Sequence, residues 1–142
     1  MKLTNKFTRL ASSAVLSFGL AVSSHVLAED GGDDSGKSTY VHIKPSLVTN
    51  VVSTSGRLHF IKADIALRVR GSATAEAVAH HDPLLKNRLV MLLSGQDLEA
   101  VRSHEGRADL RVAALEELSM ALEEEEAAND IVEVLFTNFL IE

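Results

Sequence analysis

The chain has 142 residues, enough for one domain; 46% are apolar but only six are aromatic and none is tryptophan, so any core must be aliphatic. It has no cysteine, which excludes disulfides, thiol catalysis, zinc–thiolate sites and a lipid-modified cysteine anchor. A net charge of −6 argues against holding nucleic acid or an anionic membrane by charge alone.

Residues 1–28 read as a secretion signal or an N-terminal anchor. Lys2, Lys6 and Arg9 form a positive start, Leu10 to Val22 an apolar run, and Val26-Leu27-Ala28 a cleavage-type ending before Glu29. The run is short for a membrane span, which needs about 20 apolar residues. Cleavage would remove three positive charges and no acid. Residues 29–39, beginning EDGGDDSGKS, read as a flexible acidic linker, too polar to pack. The folded domain is expected over residues 40–142.

Tyr40 to Val52 reads as a strand interrupted by Pro45, which cannot donate to a ladder and so belongs on an edge or at a kink. Ser53 to Arg57 is a turn. From His59 to Arg70, Ile61, Ala63, Ile65, Leu67 and Val69 alternate with a polar set that includes Lys62, Asp64, Arg68 and Arg70. A period of two puts the first set in the core and the second in water, or against a partner.

Thr74 to His81 reads as a helix with Thr74 as its cap, and Asp82-Pro83 as the cap and first residue of the next. Leu85, Leu89, Leu92 and Leu93 share a helical face, and Gly95 is expected to end that helix with a positive φ. A short turn capped from within Ser94 to Asp97 follows. Ser103 caps the longest helix, His104 to about Glu124, whose apolar face is Leu110, Ala114, Leu118, Ala121 and Leu122. Ile131 to Ile141 is a closing strand. Val132, Val134 and Phe136 share one parity and Phe139 and Ile141 the other, so a bulge near Thr137-Asn138 is expected to return both sets to the core. The resulting fold class is α+β, with two main helices packed on one face of an antiparallel or mixed sheet.

No nucleophile–base–orienter set, phosphate loop or nucleophile elbow is visible, so neither catalysis nor a cofactor is expected. Asp64 and Asp130 are the acids left to be tested in space for a carboxylate pair. His80-His81-Asp82 is the one metal-like cluster, but adjacent helical histidines point about 100° apart. We expect no metal site, and a metal-binding periplasmic protein is the weakest alternative. The charges of the long helix are of the less favourable sign at both ends. Arg107 and Arg111 lie near its start and Glu123, Glu124, Glu125 and Glu126 at its end, each opposing the helix dipole. One reading is a helix that stops near Leu122 with the acids in a solvated loop. The other is assembly, the acidic end of one subunit meeting Arg102, Arg107 and Arg111 of the next in a heterologous contact that closes a ring.

In chain order the segments Tyr40–Val52, Phe60–Val69, Pro83–Ser94 (ending Leu92-Leu93-Ser94), Glu105-Gly106, Leu110–Leu122 and Phe136-Thr137-Asn138-Phe139 form a pattern. It resembles the FliL family of flagellar basal body-associated proteins. The chain ends Leu-Ile-Glu where the family more often has Val-Val-Gln. The resemblance implies a periplasmic domain with a stomatin/prohibitin-like (SPFH-like) core, associated with the inner membrane and the basal body. It implies a non-enzymatic protein that self-associates into a ring-like homo-oligomer and supports the flagellar stator in swimming and swarming, with itself and the stator proteins as partners. No nucleic acid is expected, and membrane contact only if the N-terminal segment is retained. A periplasmic stomatin-like scaffold unrelated to flagella is the alternative.

Overall fold

A computed structural model describes residues 36–142; the segment read as a signal or anchor, and most of the linker, lie outside the described residues. Strands β1 (Ser38–Val52) and β2 (Leu58–Arg70) form a hairpin. Four helices follow: α1 (Ser72–His80), α2 (Asp82–Ser94), α3 (Leu98–Arg102) and α4 (His104–Glu124). Strand β3 (Ile131–Ile141) then returns antiparallel to β2, giving the sheet order β1-β2-β3. The fold is α+β: a wholly antiparallel three-stranded sheet with the helices packed against it. Among the described residues no helix is long and apolar enough to cross a membrane.

Alternation in β2 sets the inside of the sheet. Ile61, Ala63, Ile65, Leu67 and Val69 are all buried, as their period of two requires. Pro45 lies on the edge strand β1, where the register shifts between Ile43 and Leu47, so its missing donor disturbs no central ladder. The expected bulge in β3 is at Thr137: Phe136 faces Ile65 and Asn138 faces Asp64, leaving Thr137 unpaired between them. A second, unexpected bulge is at Val132, between Ile131 (opposite Val69) and Glu133 (opposite Arg68). It turns Ile131 inward, 8% exposed, and leaves Val132 half-buried. The expected inward place of Val132 is therefore corrected.

The helices close the other side. Leu85, Leu89 and Leu93 of α2 are fully buried, whereas Leu92 is only half-buried and packs at the margin, as does Phe136 of β3. On α4 the buried set is Leu110, Ala114, Leu118, Ala121 and Leu122, the face that the helical period marks.

Several ends differ from expectation. Thr74 does not cap α1; that place falls to Gly71, and the buried Thr74 hydroxyl instead accepts from the Asp130 backbone N–H at 3.2 Å. Asp82 is the first residue of α2, with His81 at the cap. Gly95 has φ −86°, so no left-handed residue ends α2; the Gln96 side chain donates to the Leu92 carbonyl at 2.9 Å instead. The short turn is a true helix, α3, capped by the Asp97 carboxylate and contributing Leu98 and Val101 to the core.

Candidate interaction surface

The two ends of α4 carry the charges singled out by sequence, about 30 Å apart along a helix of 21 residues. At its start, Ser103 accepts from the Gly106 N–H at 2.9 Å and donates to the Ala100 carbonyl at 2.7 Å. Gly106 is required there. A Cβ at this position would lie 2.1 Å from the Ala100 oxygen, so only glycine lets α4 leave α3 at this angle. The same junction lets Arg107 donate to the Arg102 carbonyl at 3.2 Å.

His104, Arg107 and Arg111 follow at helical spacing along one side of α4 and rise over Phe136 and Phe139 of β3. The two rings meet edge to face, centroids 5.3 Å apart, and floor a groove of about 160 Å³. Beyond Arg111 the groove continues between Ala108, Val112 and Leu115 of α4 and Val132, Glu133 and Val134 of β3, with Val112 57% exposed and Glu133 paired to Arg68. Among the described residues, no carboxylate lies within ion-pair distance of Arg102, Arg107 or Arg111.

The other end is differently arranged. The helix runs on to Glu124, two residues past Leu122. It closes in a Schellman motif, with Glu126 N–H bonded to Glu123 O at 3.0 Å and Ala127 N–H to Leu122 O at 2.9 Å. The residue in the left-handed position is Glu126, φ 53°, where glycine is usual. Three of the four acids meet groups of the same molecule. Glu123 accepts from Asn129 Nδ2 at 3.0 Å, Glu124 pairs with Arg88, and Glu125 Oε2 is 4.0 Å from His81 Nδ1. Arg88 also lies 3.9 Å from Glu117. The structure therefore places the cations at one end and the acids at the other, and does not bring them together within one chain.

The outward face of the sheet carries the polar set of β2. Arg68 pairs with Glu133 at 3.2 Å and Arg70 with Asp130 at 3.5 Å. Asp64 accepts from Ser46, and its backbone carbonyl accepts from Thr137 Oγ1 at 3.2 Å. The hydrogen bond from Ser46, then that from Asn138, holds its carboxyl below the usual 3.8 against an opposing effect of burial, with a smaller contribution from the charge of Lys62. Among the described residues the Asp64 carboxylate meets the Ser46 hydroxyl, and the Asp130 carboxylate meets the Arg70 guanidinium. Sequence reasoning missed that this face is also apolar around the hairpin end. Val48, Val52, Leu58, Phe60 and Leu140 are all at least 37% exposed there. Alternation marks them as outward, but their chemistry does not distinguish outward from inward.

His80 and His81 stack edge to face, centroids 4.8 Å apart. Among the described residues no three His, Cys, Asp or Glu side chains are grouped to hold a metal ion.

A family model described as flagellar basal body-associated protein FliL matches residues 40–141. The flagellar protein FliL of Escherichia coli strain K12 is 26% identical over 135 residues, covering 95% of this chain and 86% of that protein. The flagellar protein FliL of Shigella flexneri matches to the same extent.

Proposed function

The chain belongs to the FliL family of flagellar basal body-associated proteins, and from that premise we propose that it is a non-enzymatic accessory of the flagellar motor that self-associates and supports the stator. The observation that carries the reading is the family match over the whole folded domain, residues 40–141. Physical support comes from α4, where the cationic end keeps an open groove and the acidic end faces the opposite way. Successive copies joined head to tail, Arg102, Arg107 and Arg111 of one against Glu123–Glu126 of the next, make a heterologous contact that closes into a ring at the right angle. The domain acts on the periplasmic side, at the inner membrane and basal body. The stator proteins are its partners there.

The test is a deletion strain complemented by the full chain or by Arg107→Glu with Arg111→Glu. The reading expects impaired swimming and a larger loss of swarming on deletion, restored by the wild type and not by the charge-reversed variant. Normal swimming and swarming of the deletion strain overturn the flagellar part and leave a scaffold unconnected with motility.

A further inference from the structure

We propose that the outward face of the β1–β2 hairpin end is a membrane-contact surface that lies on an anionic phospholipid bilayer. Val48 and Val52 of β1, Leu58 and Phe60 of β2 and Leu140 of β3 are all exposed there. The register makes them one patch. Val52 stands opposite Leu58, Val48 and Leu140 stand on either side of Lys62, and Phe60 lies between Asn50 and Glu142. Leu58 is 68% exposed and Val52 63%, so the patch stays bare up to the turn.

The net charge of −6 opposes attraction of the whole chain to such a surface, but that charge is unevenly spread. Residues 35–63 hold none of the 20 acids and four of the 14 lysines and arginines. Among the described residues, Arg57 and Lys62 have no carboxylate within ion-pair distance. Of the acids on this face, Asp64 accepts from Ser46, Glu133 pairs with Arg68 and Asp130 with Arg70; Glu142, beside Phe60, is the one that opposes the cations of the patch. Exposed aliphatic side chains next to open cations suit the boundary between headgroups and acyl chains. The apolar groups sink to that boundary, while the long stems of Arg57 and Lys62 keep their charges at the phosphates.

The backbone of the hairpin end suits the same environment, where polar groups left without partners are costly. The Ser53 N–H donates to the Arg57 carbonyl at 2.9 Å, and the Gly56 N–H to the Ser53 carbonyl at 2.8 Å. The Arg57 N–H donates to Ser53 Oγ at 3.2 Å. Phe60 and Glu142 exchange both of their backbone bonds, at 2.7 and 3.0 Å. A second copy laid face to face on the patch would bring Arg57 and Lys62 of both molecules to one interface, which disfavours that occupant. The inference does not depend on self-association.

The chain has no tryptophan, so Thr54→Trp places a single reporter in the turn. The full chain carrying it is added to vesicles of brominated phosphatidylcholine, with or without phosphatidylglycerol. With phosphatidylglycerol we expect the emission to shift to the blue and to be quenched by the bromines; without it, or at high salt, both effects should shrink. Adding Val52→Ser with Leu58→Ser should abolish the quenching, and Arg57→Glu should reduce it. These side chains are exposed, so the melting temperature should change little. The N-terminal segment can hold the chain on a vesicle in every variant, and for that reason depth at the turn is read instead of total binding. A tryptophan that stays in water at both lipid compositions overturns the inference. So does quenching that is indifferent to phosphatidylglycerol or to the substitutions. A blue shift that needs no lipid and grows with protein concentration shows the patch covered by another copy, which overturns the membrane contact and leaves self-association standing.

Discussion

Both ends of α4 carry charge that the helix dipole disfavours, with Glu105 in the first turn as the favourable exception, yet the fold treats the two ends differently. Three of the four acids at the C-terminal end are answered from the same molecule, by Arg88 of α2, by His81 at the α1–α2 junction and by Asn129. The cations at the N-terminal end are answered by a single backbone carbonyl, that of Arg102. Unfavourable charge that is neutralised within the chain serves the fold. Unfavourable charge left open beside an apolar floor is a cost that a partner can recover.

Substitutions at or beneath each end test this contrast. The largest effect lies under the acidic end, where Leu89, fully buried next to Arg88, anchors α2 to the core. Leu89→Ala should cost about 2–5 kcal/mol, read as a fall in denaturation midpoint without a change in slope. At the cationic end, Gly106→Ala forces a methyl against the Ala100 carbonyl and should cost about 1–3 kcal/mol. Because it moves α3 against α4, association should fall further than the stability loss explains. Glu126→Gly relieves a left-handed glutamate and should stabilise the domain by about 1 kcal/mol, visible as a raised melting temperature.

Arg107→Glu sharpens the comparison most directly, since the dipole and the partner pull in opposite directions. The isolated domain should gain a few tenths of a kcal/mol while association weakens. The smallest effect is a control away from both ends. The Asp64 carboxyl is depressed in the folded state, so the stability it adds is present above its ordinary value of 3.8 and is lost as pH falls below it. Asp64→Asn should flatten the acid limb of a stability–pH curve and leave association unchanged.

Local chemistry made much of this legible from sequence. Ser103 followed by a 3.6-residue apolar stripe marks the start of α4 and its buried face. The parity change across Thr137 required one extra residue in β3. What escaped depends on contacts distant in sequence. The Val132 bulge follows no parity break that alternation alone can see, because valine satisfies either side. Gly95 suggested a left-handed ending, but a side-chain bond from Gln96 to the Leu92 carbonyl does that work. At the candidate site the charges were visible, but not the Phe136–Phe139 floor or the Arg88 partner, which lie 25 or more and 36 positions from their neighbours on α4.

The irregularities of the two outer strands have a further consequence. An open three-stranded sheet offers two unpaired backbone rims, ready templates for uncontrolled growth whenever identical molecules are crowded together. Here Pro45 interrupts one rim, and the extra residues Val132 and Thr137 kink the other. Neither presents a long straight row of donors and acceptors. Crowded copies are therefore kept from fusing rim to rim into fibres.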